Sequence, residues 1–138
     1  MNRTRRTECI AFVCLALMVL SACRSHPRIV VGCKNFTEQI ILGELIAQQI
    51  ENKTHLSVER RFYLGGTYIA HQGILAGRID IYPEYTGTAL TAILKEQPSS
   101  GRRAVYDRVK SEYERRFHLT LGPYVVTFAL SEDLSSSV

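Results

Sequence analysis

Tryptophan is missing from this sequence, and methionine and proline are scarce, with two and four copies among 138 residues. A strong excess of either charge is missing as well, because the sequence has 17 Lys and Arg and 13 Asp and Glu. Apolar residues make up 46% of the chain. This balance excludes an acidic or strongly disordered chain. The basic residues are scattered among acids rather than concentrated in a stripe, so we expect no nucleic-acid partner. The length allows at most one small domain.

An apolar run long enough to span a bilayer is also lacking. The run from Ile10 to Leu20 has 11 residues, whereas a spanning helix needs about 20. Basic residues precede this run and Leu-Ser-Ala-Cys23 ends it, an order that predicts a signal peptide over residues 1–22. The last four residues resemble the lipobox of bacterial lipoproteins. The alternative is a core helix with an incidental cysteine.

The lipobox resemblance implies a membrane anchor. Cys23 would carry the lipid, and residues 23–27 would form a tether. The chain would then lie lipid-anchored at the outer face of the cytoplasmic membrane, or in the periplasm or at the outer membrane.

Cysteine pairs suited to a disulfide or a metal are absent from the predicted mature chain. Cleavage would remove Cys9 and Cys14, and lipid would occupy Cys23, so Cys33 would remain alone. No Cys-x-x-Cys pattern occurs. We therefore expect no intrachain disulfide, no metal site and no cofactor. Cys33 itself has two interpretations, a small buried residue or a reactive thiol.

The sequence does contain an alternation of short apolar runs and amphipathic segments. In chain order they predict strands over residues 28–33, 56–63, 78–82 and 124–130, and helices over residues 36–52, 67–75, 86–95 and 102–117. Asn35 with Glu38 has the form of a capping box for the first helix, and Thr67 is placed to cap the second. The last helix carries an apolar stripe of Tyr106, Val109, Tyr113 and Phe117.

Strands that alternate with helices at this spacing predict an α/β fold with a mainly parallel sheet. In such folds ligands bind beyond the carboxyl ends of the strands. The loops that leave those ends span residues 34–39, 65–68 and 83–88. We therefore expect the functional site on these three loops.

Three motifs fall in these loops. They are Gly-Cys-Lys-Asn-Phe-Thr-Glu-Gln at residues 32–39, Leu-Gly-Gly-Thr at residues 64–67 followed by His71, and Ile-Asp-Ile-Tyr-Pro-Glu-Tyr-Thr-Gly-Thr at residues 79–88. Together they resemble the osmoprotectant-binding proteins of ABC importers, which take glycine betaine, choline, carnitine and related quaternary amines. The resemblance covers residues 28–97. It implies a partial lobe of the type II periplasmic-binding fold, a non-catalytic binding role, and permease and ATPase partners.

The resemblance also implies site residues. Tyr85 matches an aromatic of the box that holds a trimethylammonium group, and Asn35 matches a polar contact. Thr67 and Thr86 lie where hydroxyls or helix N-terminal amides would meet a ligand carboxylate, and Tyr68 is a further candidate. Each has a structural alternative: Tyr85 as a partly buried core ring, Asn35 as a helix cap, and the two threonines as caps first.

An enzyme finds little support in the remaining polar residues. Glu38, Asp80 and Glu84 are carboxylates, but nothing in the sequence makes two of them face one another. His71 has no metal ligand at a suitable spacing and is better explained by packing or exposure. Cys33 stands where the family commonly has serine.

The resemblance implies a second lobe, because members of the family are about twice as long. We expect residues 28–121 to form the N-terminal part of the first lobe, and residues 122–138 to hold a crossover strand and an aberrant or truncated tail. The alternative function is a remnant that binds nothing, or a stand-alone interaction lipoprotein without a transport role.

Overall fold

The computed structural model of the chain describes residues 28–98, 100–123 and 128–131. The predicted signal peptide, lipobox and tether over residues 1–27 lie outside the described residues. So do residues 132–138, at the end of the segment predicted as crossover strand and tail, and residues 124–127 of the predicted last strand. Within the described residues no helix has the length and apolar character to cross a membrane.

Strands and helices alternate over residues 28–83, as predicted, and are followed by consecutive helical segments and two strands. The strands are β1 (Arg28–Gly32), β2 (Ser57–Arg61), β3 (Ile81–Pro83), β4 (Leu119–Leu121) and β5 (Phe128–Ser131). The helices are α1 (Thr37–Lys53), α2 (Thr67–Leu75), α3 (Thr86–Thr88) and α4 (Arg102–Phe117). A π-helical turn over Ala89–Ile93 continues α3.

The strands form one sheet in the order β2-β1-β3-β5-β4. β1 pairs in parallel with β2 and with β3, and Val31 is opposite Ile81 in the second pairing. The predicted parallel sheet flanked by helices is therefore confirmed. β5 runs antiparallel between β3 and β4, an insertion that the sequence did not predict.

Two features of the strands differ from the prediction. β4 was not predicted, because its three residues are too few to show an alternating pattern. The third strand begins at Ile81 rather than Arg78. Just before it, the side chain of Asp80 rather than a backbone carbonyl accepts the N–H of Val30 in β1.

The predicted helix caps are wrong as well. α1 is preceded by Phe36 at the cap position and has no side-chain cap bond, so Asn35 lies one residue too early for a capping box. Thr67 and Thr86 are the first residues of α2 and α3, and the cap positions belong to Gly66 and Tyr85. The side chains of both threonines are thereby released from the capping role.

Apolar side chains cover both faces of the sheet. Along β1, Ile29 and Val31 pack with Ala47 of α1, whereas Val30 faces the opposite core, as the alternation of strand side chains requires. The opposite core contains the predicted stripe of α4, which is confirmed: Tyr106, Val109 and Tyr113 are buried, and Phe117 packs against them.

His71 and Cys33 are packing residues. The His71 ring is 2% exposed and lies against Tyr113 and Phe117, with ring centroids 5.4 and 4.7 Å away. Burial lowers the pKa of His71 to about 4. Cys33 is fully buried, and burial raises the pKa of its thiol. Of its two interpretations, the small buried residue is the one the structure supports.

Candidate functional site

The carboxyl ends of β1, β2 and β3 lie at one edge of the sheet, and the loops that follow them touch. The backbone N–H of Asn35 in the first loop donates to the carbonyl oxygen of Gly65 in the second at 3.3 Å. Lys34 joins the first loop to Glu84 in the third. The predicted convergence of the three loops is therefore confirmed.

Lys34 and Glu84 form a buried ion pair at this edge. Lys34 Nζ donates to Glu84 Oε1 at 2.5 Å, and the two residues are 1% and 4% exposed. The same ammonium group donates to the Thr67 hydroxyl at 3.2 Å. A single buried cation in the first loop thus bonds to side chains of the second and third loops.

The Glu84 carboxylate also holds the backbone of its neighbour. Its Oε1 accepts the N–H of Tyr85 at 2.8 Å. Burial raises the pKa of Glu84, and the Lys34 ammonium and this N–H oppose the rise because they stabilise the charged form. Glu84 therefore fixes the residue that precedes α3.

Two aromatic rings lie beside the ion pair. Phe36 and Tyr85 stack with ring centroids 6.5 Å apart and planes 17° from parallel. Phe36 is 43% exposed, whereas Tyr85 is half-buried. Lys34 Nζ lies 5.0 Å from the centroid of the Tyr85 ring. Aromatic faces of this kind attract cations, including those that have no N–H to donate.

Polar atoms without hydrogen bonds occur next to these rings. Gln39, fully buried in the first turn of α1, has no hydrogen bond at either side-chain atom within the described structure, and neither has the Tyr85 hydroxyl. Burial raises the pKa of Tyr85. Buried polar groups are nearly always paired, so these atoms have capacity left for a water molecule or a ligand.

The five residues predicted to bind ligand all lie on these loops, but they are not all joined. Tyr85 and Thr67 share Lys34 as a neighbour. Asn35 exposes its side chain while its backbone bonds to the second loop. Thr86 is a half-buried residue that begins α3. Tyr68 is 64% exposed in the first turn of α2 and takes no part in the hydrogen bonds described above.

Four residues of this edge were missed as site residues by the sequence prediction. They are Lys34, Phe36, Gln39 and Glu84, the last of which was considered only as a catalytic acid. Lys34 and Glu84 carry the signal that would have found them, since opposite charges follow two apolar strands directly. Charged residues at such positions are seldom buried unless they are paired.

Asp80 and Glu84, two of the carboxylates considered for catalysis, each hold a hydrogen bond within the fold, which fits a binding role better than a catalytic one. Asp80 accepts the N–H of Val30, and Glu84 bonds to Lys34. Among the described residues no three His, Cys, Asp or Glu side chains are grouped to hold a metal. The carboxyl edge of the sheet thus combines paired loops, stacked rings and polar side-chain atoms without a hydrogen bond in the described structure, an arrangement suited to binding a small solute.

The chain belongs to the family of substrate-binding domains of ABC-type glycine betaine transport systems, whose family model matches residues 27–129. It is 35% identical over 126 residues to the ergothioneine transport permease/ergothioneine binding protein EgtU of Helicobacter pylori, covering 86% of this chain and 22% of that protein. It is 36% identical over 97 residues to the carnitine transport binding protein OpuCC of Listeria monocytogenes, covering 70% of this chain and 32% of that protein.

A solved structure supports the same assignment. Apo YehZ from Escherichia coli matches with a TM-score of 0.62 and 29% identity, over 70% of this chain and 34% of that one. The chain spans 22% of the length of the Helicobacter pylori protein, 32% of the Listeria monocytogenes protein and 41% of the glycine betaine-binding protein YehZ of Escherichia coli. The relatives are named as binding or transport proteins and not as enzymes, which agrees with the predicted absence of catalysis.

Proposed function

We propose that this chain forms one wall of the ligand site of an extracytoplasmic substrate-binding protein that serves an ABC importer for quaternary ammonium osmoprotectants. The ligands would be of the glycine betaine, choline or carnitine type. The observation that carries the proposal is the stacked pair of Phe36 and Tyr85 at the edge where the three loops meet. A trimethylammonium group offers no hydrogen-bond donor, so aromatic faces are its best partners.

The polar end of such a ligand needs different groups. The hydroxyls of Thr67 and Thr86 and the exposed side chain of Asn35 lie on the same loops and would contact a ligand carboxylate or hydroxyl. The buried Gln39 amide has no partner in the described structure and would accept a bond from a water molecule that links it to the ligand. Tyr68 would take part only if the second loop moves.

The partners follow from the importer role. A permease and an ATPase subunit would receive the ligand, and the importer requires the chain to lie outside the cytoplasm. We assign residues 1–22 to a signal peptide and residues 23–27 to a tether with lipid on Cys23. Residues 28–121 would form the lobe and residues 122–138 a crossover strand and tail. The order of basic segment, apolar run and lipobox in the sequence supports this assignment.

Titration of the purified chain with two ligands of one shape tests the proposal. Choline and its uncharged carbon isostere, 3,3-dimethylbutan-1-ol, are added while the NMR signals of the three loops are recorded. We expect choline to shift the signals of Tyr85 and Phe36 at lower concentration than the isostere. Tyr85→Ala should abolish this preference, and Tyr68→Ala, which removes an exposed ring nearby, should preserve most of it. Equal shifts for both ligands would contradict a cation site.

A second candidate function rests on another surface. Ile41 and Leu45, one helical turn apart in α1, are both exposed, which favours a stand-alone interaction lipoprotein that binds no osmolyte. In that case neither ligand shifts the loop signals. Genomic DNA around the gene separates the candidates as well, because an importer needs permease and ATPase genes.

A further inference from the structure

Lys34 occupies an unusual place for a lysine. Its ammonium is buried, bonds to Glu84 and Thr67, and lies 5.0 Å from the centre of the Tyr85 ring. Burying two charges costs more than their attraction returns unless the geometry is good, so an ion pair in such a place is weak evidence for a stabilising role. Its position under the ring indicates a role in the site instead.

We propose that the buried pair of Lys34 and Glu84 positions the three loops, and that its charge balance preserves the preference of the site for a cationic ligand over a neutral ligand of the same shape. Neither residue contacts the ligand in this proposal. The proposal rests on the proposed function, because it concerns the same site.

Positioning follows from the hydrogen bonds. Lys34 Nζ reaches the second loop through Thr67 and the third through Glu84. Glu84 in turn accepts the Tyr85 N–H. Removing the lysine therefore removes the side-chain bonds between loops while the backbone bond from Asn35 to Gly65 remains. The ring of Tyr85 would then lose its fixed place relative to the first loop.

Charge balance follows from the distances. Lys34 Nζ lies 5.0 Å from the centroid of the Tyr85 ring and 2.5 Å from Glu84 Oε1. A cationic ligand on that ring therefore interacts with both charges, and their effects nearly cancel while both are present. Glu84→Gln leaves an uncompensated ammonium near the ring, which repels a cation but not a neutral isostere. Lys34→Met leaves the Glu84 carboxyl, which attracts the cation when it is ionised and has no net charge to attract or repel it when it is protonated. Both substitutions break the bond between Lys34 and Glu84, but Glu84→Gln leaves a positive charge beside the ring whereas Lys34→Met leaves a carboxyl that is negative when ionised.

The first test measures the ratio of the dissociation constants of 3,3-dimethylbutan-1-ol and choline for the full chain at pH 6. We expect Glu84→Gln to lower this ratio at least about threefold, Lys34→Met not to lower it, and the double variant Lys34→Met/Glu84→Gln to return it close to the original. Arg103→Met and Asp107→Asn make the same charge changes in an exposed pair of α4 and should leave the ratio unchanged. Equal weakening of both ligands by both site variants would overturn the charge-balance proposal.

The second test needs no ligand. Hydrogen exchange of the Tyr85 and Asn35 amides is followed by NMR, with the Val109 amide inside α4 as the measure of intact folding. We expect Lys34→Met to accelerate exchange at Tyr85 and Asn35 at least about tenfold, while exchange at Val109, which reports the stability of the whole fold, remains much slower than at either. If that variant does not fold, Thr67→Val removes one acceptor of Lys34 and should accelerate the same amides by a smaller factor.

The two tests separate the two proposals. If the unaltered chain binds neither ligand, the proposed function and the charge-balance role both fail, and the exchange rates alone decide the positioning role. If exchange at Tyr85 and Asn35 is the same in every folded variant, the pair does not position the loops.

Discussion

Asp80 is bonded twice to Val30. Its backbone N–H donates to the Val30 carbonyl oxygen at 2.8 Å, and its carboxylate Oδ2 accepts the Val30 N–H at 2.7 Å. These bonds hold the start of β3 against β1. Because Lys34 follows β1 and Glu84 follows β3, the same bonds bring the two members of the buried ion pair to one edge of the sheet.

Asp80→Ala should destabilise the fold. The substitution leaves the N–H of Val30 without its acceptor between two strands, and an unsatisfied buried donor costs about 1–3 kcal/mol. Urea unfolding followed by circular dichroism measures the loss. Asp80→Asn keeps a carbonyl acceptor in the same place and serves as the control. If the two variants lose the same free energy of unfolding, the hydrogen bond is not the cause.

Lys34→Met should cost about 3–5 kcal/mol of unfolding free energy, because it leaves the buried Glu84 carboxylate without its partner. The double variant with Glu84→Gln should cost less than the sum of the single variants, since it leaves no uncompensated charge. Arg103→Met breaks the exposed pair with Asp107 and should cost no more than about 1 kcal/mol. Additive losses for Lys34 and Glu84 would show that the pair does not act as a unit.

His71 should make the fold sensitive to mild acid. Its pKa in the folded chain is lowered to about 4 from about 6.5 in an unfolded chain. Between these values the unfolded chain binds more protons, so the free energy of unfolding rises with pH and falls on acidification. From pH 7 to pH 5 we expect a loss of about 2 kcal/mol.

The matched variants for this prediction are His71→Leu and His55→Gln. His71→Leu removes the titrating group from the core and should flatten the dependence between pH 4 and 6.5, whatever its effect on stability at pH 7. His55 is exposed just after α1, so His55→Gln should preserve the original slope. A His71→Leu chain with an unchanged slope would assign the acid sensitivity to other groups.

Binding of glycine betaine or choline by this chain should be no tighter than about millimolar, near −4 kcal/mol. The described edge offers the rings of Phe36 and Tyr85, and each desolvated ring contributes about 0.5–2 kcal/mol. Isothermal titration calorimetry with both ligands measures the constant. A micromolar constant that disappears with Tyr85→Ala would confirm the site and show that this edge alone is sufficient for tight binding.

Cys23→Ala should release the chain from membranes, because lipid on this residue is its proposed anchor. Fractionation of cells that express the original and altered chains measures the distribution. Cys33→Ala removes a buried cysteine of the lobe and should leave the membrane fraction unchanged. A Cys23→Ala chain that stays in the membrane would indicate that the apolar run of residues 10–20 is retained as the anchor.

Most of the secondary structure could be predicted from local patterns. The three- and four-residue spacing over α4 specifies one buried helix face without reference to the rest of the chain. The β-branched residues of β1 likewise indicate a strand buried on both sides. Alternation of these elements predicts parallel pairing of β1, β2 and β3, and parallel pairing brings their following loops to one edge.

Long-range pairing could not be predicted in the same way. Lys34 and Glu84 are 50 residues apart, and a lysine after a strand looks the same in sequence whether it faces water or a buried carboxylate. The antiparallel insertion of β5 between β3 and β4 could not be predicted from the sequence either, because strand order depends on which edges of the sheet remain free after the first strands pair. Sequence by itself therefore determined which loops meet at the carboxyl edge of the sheet. Only the tertiary structure decided which charges pair within it, since burial and partnership arise when segments distant in the chain are packed together.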